Sequence, residues 1–341
     1  MNRTALFWAY DPDVASFRHR LRPLAEALAA RGWHTSIDTL PRGRYLRRIA
    51  ARRRALAAAD VLVLAKLKLG VGEHPLLRHL APPIVYDVDD AVYLRQPRRL
   101  GDPPQNRWLR RWKFRATCRI AARVLAGNDT LAREARAAGL GPERIVDAPT
   151  PVAVPPFPES AAAARRGTTL VWIGRPENLP YLELARPAIL ALRARHPALR
   201  LRVVCSAAPE GFGDAVEFVR WSPEAEYNAL ATADVGLMPL VDDGWARGKC
   251  AFKLLQYMAA GLPCVASPVG ASRQAVIDGE TGFWAHGDDA WRDALGRLLD
   301  DPALRARQGR AGHAHAAAHY ARRVQVPRVA DAIERLVDDR G

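Results

Sequence analysis

The most informative stretch of the chain is residues 248–270, whose pattern of apolar and polar positions predicts a helix, a turn, a buried strand and a second turn. The helix is predicted over residues 249–260, because a glycine and a proline follow it. Lys249, Lys253 and Gln256 are its polar positions, and they fall within one narrow sector of a helical wheel. The other positions are apolar, which is typical of a buried helix.

Two lysines on a buried helix need an anionic partner. The positive end of the helix dipole lies beside Lys249. The glycine turn at residues 268–272, which includes Val269 and Gly270, can present backbone N–H groups to the same anion. These features favour a phosphate or diphosphate site, although neither common glycine-rich nucleotide motif is present. The alternative is a half-exposed helix whose lysines extend into solvent.

Short apolar strands alternate with amphipathic helices along most of the chain. Strands are predicted at residues 4–10, 33–40, 61–65, 83–86, 168–173, 201–205, 216–219, 235–238 and 264–267. Helices are predicted at residues 17–30, 42–54, 106–124, 128–138, 178–196 and 223–232, with further helices after residue 285. Because strands alternate with helices, the predicted fold class is α/β with parallel sheets. The proline-rich segment 148–158 is the expected linker between two domains.

Composition agrees with two globular domains and suggests a compartment. The chain has 341 residues, 49% of them hydrophobic, enough for two cores. Its four cysteines are scattered and none has metal-ligand spacing, which fits a reducing cytoplasm. The first residues enter a strand without the shape of a signal peptide. No apolar run approaches the roughly 20 residues of a membrane-spanning helix.

The net charge of +15 is concentrated in the first part of the chain. Residues 1–150 hold 28 lysines and arginines against 14 acids, whereas residues 151–341 hold 23 against 22. This asymmetry predicts a large anionic partner for the first domain. A membrane surface, a lipid-linked diphosphate acceptor and nucleic acid all remain open.

Two basic helices carry much of this charge. The helix predicted over residues 42–54 contains seven arginines: Arg42, Arg44, Arg47, Arg48, Arg52, Arg53 and Arg54. In the helix predicted over residues 106–124, Trp108 and Trp112 are interleaved with Arg107, Arg111 and five further cations. Tryptophan and arginine on one helix suit a membrane interface or nucleic-acid contact. In the alternative, the tryptophans pack into the domain and the arginines are solvated.

Charged residues also stand at two places where an α/β fold binds ligands. Asp87, Asp89 and Asp90 follow a predicted strand, and carboxyl ends of strands are such places. They could hold a metal, bind acceptor hydroxyls or cap a helix. Arg18 and Arg20 lie in the first turns of the helix 17–30, where they either face a diphosphate or acceptor or form a solvated basic surface.

Residues 248–270, together with the segment 278–283, resemble the donor-site motif of glycosyltransferase family 4. The segments 172–175 and 233–240 extend the resemblance, which covers most of the chain in order and is strongest over residues 168–285. It implies the GT-B fold, in which two Rossmann-like doubly wound domains face each other across a cleft. The implied division is an acceptor domain (1–150), a nucleotide-sugar donor domain (151–320) and a terminal helix (321–341) that packs back on the first domain.

The resemblance implies a retaining glycosyltransferase of the hexosyltransferase type, which uses a nucleotide diphosphate sugar and needs no metal or other cofactor for its chemistry. The implied donor-binding residues are Gly174, Arg175, Asn178, Trp221, Asp243, Lys249, Lys253, Gln256, Val269 and Gly270. The candidate catalytic residues are Lys253, Arg175, Asp87 and Asp90. The residues expected on the acceptor or membrane side are Arg18, Arg20, Trp108, Arg111 and Trp112.

The sequence departs from the family pattern at two glutamates that are commonly eight residues apart, because Gly248 and Gln256 occupy those positions. An amide can still bind ribose hydroxyls. We expect a glycan acceptor, with a lipid-linked or cell-envelope glycan as one class that fits, and a cytoplasmic protein that could attach to the inner face of the membrane. Nucleic acid is the less expected partner. The alternatives are a nucleic-acid-binding protein and a catalytically silent GT-B scaffold.

Overall fold

The structure, a computed structural model, describes residues 3–11, 15–40, 45–67, 69–97, 99–106 and 108–339. Arg42, Arg44 and Arg107 of the two predicted basic helices lie outside the described residues. Within the described ranges, no helix combines the length and the apolar character that crossing a membrane requires.

The first domain is built on a six-stranded parallel sheet. Its strands are β1 (Thr4–Ala9), β2 (His34–Thr39), β3 (Val61–Ala65), β4 (Ile84–Val88), β5 (Arg123–Ala126) and β6 (Ile145–Asp147). Their order across the sheet is β2-β1-β3-β4-β5-β6. Strands β1, β3 and β4 are apolar and almost fully buried, as expected for a sheet covered on both faces. The strand order reverses between β1 and β3, and that point is where such sheets form a binding crevice.

The second domain is built on another six-stranded parallel sheet. Its strands are β7 (Thr169–Ile173), β8 (Arg200–Cys205), β9 (Val216–Arg220), β10 (Val235–Met238), β11 (Cys264–Ala266) and β12 (Gly282–Trp284). Their order is β12-β11-β10-β7-β8-β9, so the crevice of this sheet lies at the ends of β7 and β10. The prediction of two doubly wound parallel sheets is confirmed.

Helices cover both sheets. The first six are α1 (Arg22–Ala30), α2 (Tyr45–Ala51), α3 (Arg53–Ala58), α4 (Glu73–Leu80), α5 (Trp108–Ile120) and α6 (Asp129–Arg136). The others are α7 (Glu159–Ala164), α8 (Arg186–Arg193), α9 (Pro223–Ala231), α10 (Gly244–Arg247), α11 (Phe252–Ala259), α12 (Ser272–Ala275), α13 (Asp288–Asp300), α14 (Pro302–His319) and α15 (Arg322–Asp338). Helices α2 to α6 pack on one face of the first sheet, and α1 packs on the other.

Five predicted helices differ from the observed ones. The helix predicted at 42–54 is interrupted at Arg52 and forms α2 and α3, and the helix predicted at 106–124 ends with α5 at Ile120, before β5. The predicted helix at 178–196 is a 3₁₀ segment, Pro176–Leu184, followed by α8, since two prolines interrupt the α-helical hydrogen bonds. The predicted helix at 17–30 begins with a π-helical turn, Phe17–Leu21, and Ser16 does not cap it with its side chain. The predicted start of the key helix at Lys249 is wrong, because the left-handed backbone of Ala251 (φ 52°) delays α11 until Phe252.

The last helix, α15, lies against α1 of the first domain. Arg31 pairs with Asp331 at 2.7 Å and with Glu334 at 2.6 Å, and the indole nitrogen of Trp33 donates to Glu334 at 3.1 Å. Ile333 is buried in the same core. Pro327 stands inside α15 rather than in its first turn. The chain therefore returns from the second domain to close one face of the first.

Candidate active site

Lys253 lies in the crevice of the second domain, on the first turn of α11. Its Nζ is 4.0 Å from the ring centre of Trp172 on β7, and a side chain at Gly174 would begin only 2.8 Å from that Nζ. Burial, and then the charge of Lys249, lowers the pKa of Lys253 well below its ordinary value. No described residue gives Lys253 an ion pair. The free protein therefore provides no anion that would favour the charged form of Lys253.

Lys249 approaches the same crevice from the loop before α11. Its Nζ donates to Asn178 Oδ1 at 3.1 Å and lies 5.7 Å from the ring centre of Trp245. Burial lowers the pKa of Lys249, although the carboxylates of Asp90 and Asp243 oppose the shift. Two lysines with lowered pKa values at the carboxyl ends of parallel strands are suited to bind an anion.

The turn after β11 borders this site and requires glycine at Gly270. The backbone there is left-handed (φ 52°), and a Cβ would lie 2.6 Å from the carbonyl oxygen of Arg247. Val269 beside it is buried. The turn thus packs directly on the segment that carries Lys249, as the sequence predicts for a shared anion site.

Trp221, Glu226 and Gln256 form a second cluster in the crevice. The half-buried carboxylate of Glu226 accepts one hydrogen bond from the Trp221 indole at 2.7 Å and another from the Gln256 amide. Trp221 is 37% exposed, so its ring remains open to a ligand. A carboxylate and an amide beside an exposed aromatic ring can bind the hydroxyls and the base of a nucleoside.

Two predicted donor-site residues have other contacts. Arg175 is 71% exposed and pairs with Glu177 at 3.0 Å. Asp243 is the N-cap of α10, where its Oδ1 accepts from the backbone N–H of Ala246 at 2.7 Å. Both residues border the crevice, but their charges are already partly compensated within the second domain.

The first domain contributes Asp90 and Lys66 to the opposite wall of the cleft. Lys66 follows β3 in a left-handed conformation (φ 52°), and its Nζ contacts Asp89 at 2.5 Å and Asp90 at 2.9 Å. Burial opposes ionisation of Asp90, but Lys66, Lys249 and Arg175 outweigh it and lower the pKa of Asp90. Asp90 is thus an ionised carboxylate that faces Lys249 of the second domain. No group of three or more potential ligand side chains within the described ranges could hold a metal ion.

Asp87 does not face the cleft with Asp90. Its carboxylate is buried and pairs with Arg20 through Nη2 at 2.5 Å and Nε at 3.1 Å. The same guanidinium donates to the carbonyl of Ala148 at 2.7 Å and to Thr150 Oγ1 at 3.2 Å, at the start of the linker. Arg20 and Asp87 are therefore a buried ion pair at the domain junction, and neither side chain is open to an acceptor.

The π-helical turn 17–21 brings two more side chains to the second domain. The guanidinium of Arg18 lies 5.2 Å from the ring centre of Trp221. The ring of His19 lies 4.4 Å from that of Phe252, and its Nδ1 is 3.2 Å from a guanidinium nitrogen of Arg322. Since that nitrogen can only donate, Nδ1 accepts and the proton of a neutral His19 is on Nε2. π-Helical turns are frequent at functional sites.

Trp108, Arg111 and Trp112 are not in the cleft. Trp108 is 77% exposed at the start of α5, whereas the ring of Trp112 lies edge-on to His74 at 5.5 Å. Arg111 pairs with Glu134 at 3.4 Å. These contacts are all within the first domain, on its outer helical layer.

Comparison with known proteins identifies the second domain. Residues 167–301 match the sequence model of the family described as "Glycosyl transferases group 1". This region is a glycosyl transferases group 1 domain.

The chain is 32% identical over 164 residues to a D-inositol 3-phosphate glycosyltransferase of Arthrobacter sp. (strain FB24), an alignment that covers 43% of this chain and 38% of that protein. The same enzyme of Pseudarthrobacter chlorophenolicus is 31% identical over 217 residues, 56% of this chain and 50% of that protein. The chain therefore spans half or less of the length of these curated relatives.

Solved structures establish the overall fold. Sucrose-phosphate synthase of Thermosynechococcus elongatus superposes with a TM-score of 0.75 at 17% identity, over 99% of this chain and 100% of that chain. Anabaena HepE in complex with UDP-glucose superposes with a TM-score of 0.68 at 13% identity, over 97% and 99% of the two chains. The chain has the GT-B fold, with its group 1 glycosyl transferase domain as the second of two facing domains.

The missing first glutamate of the group 1 domain has a steric explanation. A Cβ at Gly248 would lie 2.5 Å from the Cβ and 2.9 Å from the backbone nitrogen of Ala91 in the first domain. Cys250 Sγ contacts the carbonyl oxygen of Asp89 at 3.1 Å nearby. The first domain therefore occupies the space that a side chain at Gly248 would need.

Sequence reasoning missed Glu226, Lys66 and His19. Glu226 contacts Gln256 across 30 residues of sequence, and Lys66 meets Asp90 across 24. Residues this far apart belong to different helices, strands or loops, so no periodic pattern in the sequence could indicate either contact. The position of Lys66 directly after a buried strand was the one signal that could have marked it.

We predict that His19 lowers the free energy of unfolding as the pH falls from about 6.5 to about 4. Burial, and then the charges of Arg322 and Arg18, lowers the pKa of His19 from 6.5 to about 4. In that window the unfolded chain binds a proton that the folded chain does not, so the free energy of unfolding decreases as pH falls, by at most about 1.4 kcal/mol per pH unit. Thermal unfolding at pH 7 and pH 5 should show a smaller loss in His19→Gln than in the wild type.

The exposed His286 supplies the control, since His286→Gln should keep the wild-type dependence. Burial also lowers the pKa values of His74 and His315, and these contribute equally to all three proteins. An identical pH dependence in wild type and His19→Gln would contradict the prediction.

Proposed function

We propose that this protein is a retaining glycosyltransferase that moves a sugar from a nucleotide diphosphate sugar to an acceptor hydroxyl. The observation that supports it most is Lys253, a buried lysine beside the Gly174 turn whose pKa is lowered by burial and that has no ion-pair partner among the described residues. A diphosphate supplies the missing charge. The group 1 glycosyl transferase domain around Lys253 supports the same class of ligand.

In the proposed complex, the nucleoside lies on the cluster of Trp221, Glu226 and Gln256. Glu226 accepts from ribose hydroxyls, Gln256 provides a further polar contact, and the exposed face of Trp221 lies beside the base. Arg18 of the first domain lies over the same ring and closes the crevice from the other side. HepE, which superposes along nearly its whole length, was solved with UDP-glucose, and this favours UDP as the first nucleotide to test.

The proposed reaction breaks the bond between the anomeric carbon and the β-phosphate oxygen, and its electrons go to the leaving diphosphate. Lys253, Lys249 and the N–H groups at the Gly270 turn stabilise that charge, so the chemistry needs no metal. The acceptor hydroxyl attacks the same face of the sugar, and its proton passes to a diphosphate oxygen, which retains the configuration. Asp90 orients the acceptor or sugar hydroxyls across the cleft. Arg175 plays a smaller part because it is exposed and paired.

The acceptor in this proposal is a lipid-linked or cell-envelope glycan, and the protein works in the cytoplasm at the inner face of the membrane. The excess of cations in residues 1–150 supports an anionic environment for the first domain. The alignments to the group 1 relatives quoted above cover half or less of those relatives, so their inositol phosphate acceptor is not carried over.

The test is thermal unfolding with UDP, GDP, ADP, TDP and CDP in the presence of a chelator. A ligand that binds only the native state raises the melting temperature by mass action. We expect one diphosphate to do so in the wild type and in Glu183→Leu, which removes a half-buried carboxylate that pairs with Arg186 in the second domain. The shift should shrink in Glu226→Leu.

A second measurement separates transfer from binding. With the sugar nucleotide of the stabilising base, the wild type should release nucleoside diphosphate slowly even without an acceptor, through hydrolysis. If no diphosphate stabilises the protein, the donor-site proposal fails. If one stabilises it but neither hydrolysis nor transfer is detected, the protein is a catalytically silent GT-B scaffold.

A further inference from the structure

The outer helical layer of the first domain leaves four apolar side chains exposed. Trp108 is 77% exposed, Val71 67%, Leu46 46% and Leu109 41%. Scattered exposed apolar residues are ordinary on a protein surface, whereas a contiguous group indicates an interaction site. We call these four residues the apolar edge.

The apolar edge is contiguous because of the sheet topology. Strands β2, β3 and β4 are parallel, so the chain leaves all three at the same edge of the sheet. Leu46 lies in the first turn of α2, Val71 precedes α4, and Trp108 begins α5. A Cβ at Gly72, next to Val71, would lie 3.6 Å from Leu46. Trp112, one turn beyond Trp108, contacts His74 of α4, which places α5 beside α4.

Uncompensated cations flank the apolar edge. Helices α2, α3, α4 and α5 hold ten lysines and arginines against one acid, Glu73. That glutamate accepts a hydrogen bond from the backbone N–H of Gly70. Eight of the cations form no ion pair with any residue in the described part of the chain: Arg47, Arg48, Arg53, Arg54, Arg78, Lys113, Arg115 and Arg119. The surface is therefore apolar at its tip and positive around it.

We infer that the apolar edge and its flanking cations form a docking surface for an anionic lipid bilayer. Protruding tryptophan and aliphatic side chains enter the interfacial region of a bilayer, and surrounding arginines contact lipid phosphates. A nucleic-acid surface would use the arginines but offer aromatic faces to the bases. Three of the four residues of the apolar edge are aliphatic, and this favours lipid.

Docking in this way also orients the cleft. The residues after β3 and β4 at the same sheet edge include Lys66 and Asp90, which line the first-domain wall of the cleft. A protein held by the apolar edge presents that wall toward the membrane surface. The docking inference concerns binding alone and does not depend on the proposed transfer reaction.

Sedimentation with vesicles tests this inference on the full chain. Vesicles of phosphatidylcholine with phosphatidylglycerol should bind the protein, those of phosphatidylcholine alone should bind it weakly, and salt should weaken the anionic case. Arg47→Ala/Arg48→Ala should lower affinity about five-fold for each arginine. Trp108→Ala should lower it roughly ten-fold, because an exposed aromatic ring loses its burial in lipid.

Matched controls lie on the second domain. Leu190 is 41% exposed on α8, and Arg307 is exposed on α14. Leu190→Ala and Arg307→Ala should bind vesicles as the wild type does. The mutated side chains are exposed or half-buried on helix surfaces, so the melting temperatures of all variants should be close to that of the wild type, and this is measured alongside.

Three results would overturn the inference. The first is equal binding to neutral and anionic vesicles, or to neither. The second is wild-type affinity in both Trp108→Ala and the double arginine variant. The third is binding to duplex DNA or RNA that exceeds vesicle binding and is lost in the arginine variant, which would make the surface a nucleic-acid site.

Discussion

Replacing Lys253 by methionine is expected to lower kcat by about 10²–10³-fold, the typical effect of removing one preorganised group that stabilises a developing anion. Methionine keeps much of the volume beside Trp172 and removes the charge. Because the free protein gives this buried lysine no ion-pair partner among the described residues, its loss should leave the melting temperature unchanged or raise it. Steady-state kinetics with the sugar nucleotide found in the diphosphate screen gives the measurement.

Arg175→Met is the matched control for this prediction. Arg175 follows β7 at the same crevice, but it is 71% exposed and paired with Glu177, so screening by solvent should limit the loss of kcat to under about ten-fold. Equal losses in the two variants, or a large drop in the melting temperature of Lys253→Met, would contradict the role assigned to Lys253.

A further readout distinguishes charge stabilisation from packing. Burial and Lys249 lower the pKa of Lys253 in the free protein, and a bound diphosphate would raise it again. Diphosphate binding should then take up protons and weaken as pH rises. Calorimetry in buffers of different ionisation enthalpy measures this uptake, which should be smaller in Lys253→Met.

Replacing Arg20 by methionine is expected to destabilise the protein by about 3–5 kcal/mol, the usual cost of removing one partner of a buried ion pair. The variant leaves the buried carboxylate of Asp87 without its guanidinium, and it also removes the hydrogen bonds to Ala148 and Thr150 at the linker. Urea unfolding followed by circular dichroism gives the free energy of unfolding.

Two further variants test whether the buried ion pair causes this loss of stability. Arg22→Met, two residues away on the exposed side of α1, should change stability by less than about 1 kcal/mol. The double variant Arg20→Met/Asp87→Leu should recover a large part of the loss, since apolar residues of similar volume can replace a buried ion pair. A stable Arg20→Met, or a double variant no better than the single, would show that the pair carries little of the stability.

Most of the fold follows from local sequence features. The apolar runs at β3 and β7 are strands buried on both faces, and their alternation with amphipathic helices predicts parallel sheets. Boundaries were less predictable. The pattern of α11 gave no sign that Ala251 adopts a left-handed conformation, which is uncommon for a residue other than glycine.

Part of the candidate site was also predictable. Lys253 and Gly270 carry local reasons for their positions, namely a charge on an apolar helix and a glycine in a tight turn. The contacts of Asp87 and Asp90 were not predictable. They are three residues apart at the end of one strand, yet Asp87 pairs with Arg20 under the linker and Asp90 with Lys66 at the cleft.

The sequence by itself determined the two α/β domains, the helix and turn that bear Lys253 and Gly270, and the positive charge of the first domain, because periodicity, turn chemistry and composition are local properties. The tertiary structure alone decided which partner each charged group meets: Arg20 with Asp87, Lys66 with Asp90, and Glu226 with the amide of Gln256. Each pair joins distant segments, and burying a charge costs free energy that is offset only when the fold brings a partner within hydrogen-bond distance.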